Sequence, residues 1–200
     1  MKGAFDAAWW PSILHTLKVF NCPKNLYNLA RSYFSGRTAT LHTNSIQIER
    51  DVNKGCPQES CCGPGFWNIK YNSLLNLNYG KRTKAIAFAG DLLIAVRAKN
   101  VQEAENFANI EIGKITNWAK ENKITFNEQK SKVMLVTRRK GRERTEVNIY
   151  LNTKPLEEVK SIKYLGITID NKMNFREHII SATQKCTTLI HTLEKSAKLN

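Results

Sequence analysis

The sequence predicts an α+β protein, with an antiparallel sheet packed on helices. Stretches with apolar residues at helical spacing are interspersed with short apolar runs. Several of those runs come in pairs joined by tight turns, the mark of hairpins and antiparallel pairing. An apolar fraction of 42% over 200 residues is enough to build a core for one domain, or one and a part.

The elements follow in order. "DAAWWPSILHTLKVF" has helical spacing, with Asp6 as the expected N-cap and Phe20 at the end. "CPKNLYNLARSYFSG" is a second helix, with Pro23 near its start and Gly36 at its end. "TATLHTNSIQIERDV" alternates in two runs about Thr43-Asn44-Ser45 and predicts a hairpin. "GCPQESCCGPG" is a loop, and "FWNIKYNSLLNL" resumes helical spacing. In "KAIAFAGDLLIAV" two apolar runs, 84–89 and 92–96, flank Gly90-Asp91, which predicts a buried hairpin with one carboxylate at its tip. Its expected packing partners are the helix of Trp9 and Ile13 and the helix beginning near Gly65. "VQEAENFANIEIGKITNWAKENK" is a long amphipathic helix with Ala104, Phe107, Ala108, Ile112, Ile115 and Trp118 on one face. "SKVMLVTR", "VNIYLN" and "IKYLGITID" are short strands, and the chain closes on a helix from "NFREH" onward. No internal repeat or low-complexity linker interrupts this order.

Charge is the strongest bulk signal. The 31 Lys and Arg against 17 Asp and Glu leave a formal net charge of +14. Such a balance favours a polyanionic partner through counterion release. The densest run, "TRRKGRER", holds Arg138, Arg139, Lys140, Arg142 and Arg144 in a stretch broken by Gly141, either a solvated loop or one that contacts phosphates. No segment reaches the ~18 apolar residues of a membrane span, and the N-terminus does not read as a signal peptide. Five cysteines without a framework spacing read as buried free thiols, which suggests an intracellular setting, nucleus or cytoplasm.

A lone Asp91 at a hairpin tip reads first as a turn residue. Metal-assisted phosphoryl transfer needs a set of carboxylates, not one. The wider context changes the reading. "KGAFDAAWWPSIL", "GCPQESCCGPGFWNI", "FAGDLLIAV", "FNEQKSKVMLVTRR" and "KYLGITID", in this order, resemble the reverse transcriptase domain of non-LTR (LINE-type) retrotransposons, cut at both ends. The resemblance implies a right-hand polymerase palm with partial fingers in residues 1–170 and the start of the thumb in 171–200. It implies RNA-directed DNA synthesis with Mg²⁺ or Mn²⁺, an RNA template, a DNA primer and deoxynucleoside triphosphates, and no membrane.

The resemblance also assigns residues. Asp91 would be a catalytic metal ligand. Phe5 would lie under the sugar of the incoming nucleotide and exclude a 2′-hydroxyl. Gln58 would position nucleotide and template. Lys130 would stand near the leaving pyrophosphate as a general acid. Tyr164, Leu165 and Gly166 would form the primer grip, a turn between strands. Trp9 and Trp10 read as packing residues.

Departures from the family pattern carry equal weight. The first motif opens on a metal-binding Asp two residues before the Lys/Glu position; Met1 occupies the residue between, so that Asp would lie one residue ahead of this sequence. The hairpin motif, Phe/Tyr-Ala-Asp-Asp, reads Phe88-Ala89-Gly90-Asp91 here. The third departure is Glu59, where Pro-Gln-Gly is expected and glycine would tolerate positive φ and close approach. Two of three expected metal-binding carboxylates are therefore absent from residues 1–200, and impaired catalysis is expected. A non-catalytic nucleic-acid-binding remnant and a decayed product without activity are the alternatives.

Overall fold

The computed structural model describes residues 3, 5–43, 46–57, 59–137 and 146–197. Helices and short strand pairs are mixed along the chain, as an α+β protein requires, and they fall into two compact units, Met1–Glu128 and Gln129–Asn200.

The first unit is built on helices. Helix α1 (Trp10–Val19) buries Trp10, Ile13 and Leu17, a spacing of three and four that puts all on one face. It starts later than Asp6 would place it. Pro11 occupies the first turn, where its missing N–H costs nothing, and Trp9 is the extended residue before it. Asp6 instead sits in a turn in which the Ala7 N–H donates to Gly3 O (2.7 Å). Helix α2 (Lys24–Tyr33) begins after Pro23, as expected. The hairpin β1 (Thr38–His42) and β2 (Gln47–Asp51) is antiparallel, but all ten of its paired residues are exposed. Helix α3 (Gly63–Leu75) opens at Gly63, inside the stretch expected to be loop.

Strands β3 (Thr83–Phe88) and β4 (Asp91–Val96) form the expected hairpin with a corrected register, but it is not the buried hairpin expected: none of its strand residues is buried, and Ile86 and Phe88 are exposed. Phe88 pairs with Asp91, so the two-residue turn is Ala89-Gly90 and not Gly90-Asp91. The reason lies in Ala89, which takes a left-handed φ of 49° and turns the chain one residue early. The hairpin packs chiefly on α3 and on α4 (Val101–Glu121), whereas α1 packs on α2 and α3. Helix α4 is capped by Asn100, whose side chain accepts from the Glu103 N–H at 2.8 Å. Its buried face includes Ala108, Ile115 and Trp118 as expected, but also Glu105 and Glu111. Glu111 is tolerated there because it accepts from the Gly80 N–H (2.7 Å) and pairs with Lys114 (2.9 Å).

In the second unit the three expected strands are shorter and more numerous. β5 (Lys132–Val133) pairs in parallel with β8 (Glu157–Glu158), β6 (Tyr150–Leu151) with β7 (Lys154–Pro155), and β9 (Ser161–Tyr164) with β10 (Ile167–Asp170). "IKYLGITID" is thus a hairpin with Leu165-Gly166 as its turn, both at positive φ (48° and 87°), a geometry suited to two-residue hairpin loops. Helix α5 (Arg176–Ala197) follows, and none of its residues is buried. Among the described residues the strands make five two-stranded pairs, four antiparallel and one parallel, in place of one continuous antiparallel sheet. Of the five cysteines only Cys56 is buried, which corrects the expectation of buried thiols; Cys61 and Cys186 are exposed.

Candidate nucleotide site

Within the first unit, three segments far apart in sequence converge. The turn after Gly3 is clipped to the segment before α3 by backbone bonds: the Gly55 N–H donates to Ala8 O (2.7 Å) and the Cys56 N–H to Phe5 O (2.9 Å). Trp9 and Lys54 add an antiparallel bridge, and the Trp10 indole N–H donates to Gly55 O at 2.7 Å. Gly55 is required here: its φ is +99°, and a Cβ would lie 3.4 Å from Asp6 O. Phe5 is thereby fixed beside the loop that leads to α3, its side chain half-buried.

That loop is closed on itself. The Ser60 hydroxyl donates to Pro57 O (2.8 Å) and accepts from the Gly63 N–H (2.9 Å). Glu59 is exposed at φ 62°, a backbone state that favours glycine. The position at which glycine was expected therefore does adopt a glycine-like conformation, with a carboxylate side chain on it.

Helix α3 joins the loop to the hairpin. Its Trp67 side chain is 1% exposed; the indole N–H donates to Ala89 O at 2.8 Å, and its ring lies 5.5 Å from that of Phe5. Tyr71 stacks behind it at 5.2 Å, with Trp118 beyond at 6.5 Å. Asp91 stands at the first position of β4, exposed, opposite Phe88, which is 62% exposed. The structure thus brings Phe5 and the turn next to Asp91 onto one indole, with the chain leading into the Glu59 loop tied to Phe5 through the Cys56 N–H. Sequence reasoning missed Trp67, although Trp67, Tyr71 and Leu74 share a helical spacing that marks a buried face.

One turn along α3 lies a buried cation that sequence gives no reason to expect. Lys70 is fully buried, its ammonium donating to Ser12 Oγ (2.8 Å) and Asn122 O (2.9 Å). Burial pushes its pKa down to about 8, against a smaller upward pull from Cys56. Burial likewise pushes the Cys56 thiol up to about 11, with Cys62 adding to the rise and Lys70 opposing it. Lys70 thereby ties α1 and the end of α4 to α3.

Other expected site residues lie elsewhere. Lys130 is exposed in a turn of the second unit. In the same unit Leu165 and Gly166 are exposed at their turn, and the Tyr164 hydroxyl is buried with no hydrogen-bond partner among the described residues. Gln58 and the basic run Arg138, Arg139, Lys140, Arg142 and Arg144 fall outside the described residues. Trp10 is buried in the core, stacked on Phe34 at 5.2 Å, and the Lys123 ammonium lies 4.0 Å from the Trp9 ring.

Comparison with known proteins decides the family. The reverse transcriptase (RNA-dependent DNA polymerase) family matches residues 1–169. The chain belongs to the reverse transcriptase family. Its relatives are non-LTR retrotransposon proteins. It is 31% identical over 97% of its length to a putative 115 kDa protein in type-1 retrotransposable element R1DM of Drosophila melanogaster, covering 18% of that protein. It is 26% identical to the probable RNA-directed DNA polymerase from transposon X-element of the same fly, over 90% of this chain and 20% of the relative. To the RNA-directed DNA polymerase from mobile element jockey of Drosophila funebris it is 25% identical, over 95% and 21%. The chain spans about a fifth of the length of these curated relatives.

Reverse transcriptases as a family use divalent metal ions. Among the described residues no group of three or more His, Cys, Asp or Glu could hold a metal ion, and at the hairpin the glycine beside Asp91 offers no carboxylate. Nor is any described helix long and apolar enough to cross a membrane.

Proposed function

We propose that this reverse transcriptase domain keeps the nucleotide-facing scaffold of an RNA-directed DNA polymerase but is catalytically impaired as residues 1–200 stand. The observation that carries the reading is the meeting of Phe5 and the Ala89-Gly90 turn at Trp67, with the chain entering the Glu59 loop bonded to Phe5. In this reading the Phe5 ring faces the sugar of a deoxynucleoside triphosphate, where a flat wall excludes a 2′-hydroxyl. Gln58 orients the nucleotide against the RNA template. Residues 1–170 serve as palm and partial fingers and 171–200 open the thumb. Leu165-Gly166, with Tyr164, presents backbone to the DNA primer terminus, and Lys130 protonates the departing pyrophosphate.

Asp91 is the one ligand of the hairpin pair that remains. Metal-assisted transfer needs opposed carboxylates to place the attacking and leaving oxygens. Losing that positional and electrostatic help costs orders of magnitude in rate. Glu59 adds a negative charge where a triphosphate approaches and weakens its binding by repulsion.

Primer extension on an RNA template with Mg²⁺ or Mn²⁺ tests the proposal. Residues 1–200 should give no measurable product, because Gly90 stands where the hairpin motif carries its first carboxylate. A longer protein that carries the family's first-motif Asp, with Gly90→Asp and Glu59→Gly, should extend the primer. Template-directed extension by residues 1–200 unaltered would refute the impairment.

The net charge of +14 supports a second reading, a nucleic-acid-binding module without catalysis. The two part ways in the longer, repaired protein: extension there favours an impaired polymerase, and tight binding without extension favours the module.

A further inference from the structure

We infer that Trp67 is a positioning residue that sets deoxynucleotide selectivity, by holding the Phe5 ring and the Ala89-Gly90 turn in one fixed relation. The inference rests on the reading of Phe5 as the sugar-facing wall.

The geometry is specific. One face of the indole environment is Phe5, ring centroids 5.5 Å apart and planes inclined by 31°. The indole N–H reaches the other side and donates to Ala89 O at 2.8 Å. Ala89 is a non-glycine residue in the left-handed region (φ 49°), a state that persists only when its surroundings over-determine it. The bond from Trp67 is such a restraint: it satisfies the carbonyl of the strained residue and keeps the turn from relaxing. Trp67 is itself held by packing, 1% exposed with Tyr71 stacked on it at 5.2 Å. A buried indole has two χ angles and one donor, so its position transmits directly to both neighbours. If Trp67 tilts, the wall under the sugar and the turn preceding Asp91 move together.

Selectivity between deoxy- and ribonucleotides depends on the height of that wall to a fraction of an ångström, because the discriminating contact is steric. A residue that merely stabilises the fold lowers affinity for both nucleotides alike. A residue that sets the wall changes their ratio.

The test is binding of Mn²⁺–dATP and Mn²⁺–ATP to the full chain with an RNA–DNA template–primer present, comparing the native protein with Trp67→Phe. The variant keeps an aromatic ring against Phe5 and loses the N–H donor. The native chain should prefer dATP, and Trp67→Phe should cut that preference roughly fivefold, the factor one net hydrogen bond is worth. An unchanged ratio, with both affinities falling together, overturns the inference while leaving the reading of Phe5 intact. Absence of any dATP preference in the native chain removes the reading of Phe5 and the inference with it.

A second measurement leaves Trp67 untouched, in case Trp67→Phe fails to fold. In Phe5→Leu, the Trp67 indole N–H resonance and the amide resonances of Ala89, Gly90 and Asp91 should all shift. Shifts confined to the neighbours of Phe5 in the 3–8 turn and at Gly55-Cys56 would show that no link runs through the indole, and would overturn it.

Discussion

Glu59 stands at φ 62°, in a loop where a β-carbon crowds the backbone. A non-glycine residue in this region carries ~1–2 kcal/mol of strain, partly offset because glycine frees the unfolded chain. Glu59→Gly should therefore stabilise the protein by about 0.5–1 kcal/mol in denaturant unfolding; destabilisation would mean that the Glu59 side chain makes a contact worth more than the strain. Lys70 makes a different prediction, about pH. Its folded pKa of about 8 lies below the ordinary 10.5, so between these values the folded protein has released a proton that the unfolded chain still holds. Stability must rise with pH across that window. Cys56 acts in the opposite sense: its folded pKa of about 11 exceeds the ordinary 9.0, so its contribution falls as pH climbs from 9 to 11. Stability should thus increase from pH 8 to 9 and then level off as the two slopes oppose. In Lys70→Met the rise should vanish and only the decline above pH 9 remain, a pattern that unfolding midpoints at half-unit pH steps would resolve. Lysine is read from sequence as a surface residue, so nothing in "FWNIKYNSLL" announced that Lys70 would be fully buried; only the fold supplies Ser12 and Asn122 as acceptors.

At the level of elements, the corner between β10 and α5 is held by one carboxylate. Asp170 accepts from the backbone N–H groups of Lys172 (3.0 Å), Asn174 (3.1 Å) and Phe175 (2.6 Å). Burial opposes its ionisation, but these donors outweigh burial and hold its carboxyl below the usual range. A depressed carboxyl pKa adds stability that is present above the ordinary aspartate pKa and lost as pH falls through the folded value. Asp170→Ala should lower the thermal midpoint by several degrees at neutral pH and by less at pH 3, as differential scanning calorimetry would record. Elements with strong local signals were legible in the sequence. Helix α4 follows its apolar face and the β1–β2 hairpin follows the turn signal at 43–45, whereas "IKYLGITID", which reads as a strand, folds as a hairpin about 165–166. Where legibility failed, a longer-range contact had prevailed over a local rule. Asp6 is a good N-cap, but Trp9 bridges to Lys54 and the helix waits for Pro11. The β3–β4 turn slipped by one residue because Ala89 is held left-handed with its carbonyl bonded to Trp67, and alanine gives no such hint. Of the candidate site, the segments of Phe5 and Asp91 stood out by motif, and the Trp67 indole that touches Phe5 and the Ala89 carbonyl did not.

For the whole molecule, charge outweighs any single contact. A chain of net +14 should bind single-stranded or duplex nucleic acid with little sequence preference, and affinity should fall with salt by roughly one unit of log–log slope per phosphate contact. Replacing Arg138, Arg139 and Lys140 by Gln should flatten that slope by up to about three units if the run meets phosphate, and an unchanged slope would assign the contacts to other basic residues. Two compact units, each with its own hairpins, carry the motifs in family order, so the scaffold and its charge can be tested apart from catalysis. The most direct test of a retained site with depleted charge is a Mn²⁺ titration read by paramagnetic broadening of the backbone amides at residues 88–92, in the native chain and in Gly90→Asp. The native turn should broaden only at high Mn²⁺, and the added carboxylate should bring the midpoint down about tenfold, the factor that ~1.4 kcal/mol of added attraction confers. Tight Mn²⁺ binding at the native turn, unaltered by Gly90→Asp, would contradict it and mean that other ligands complete the metal site.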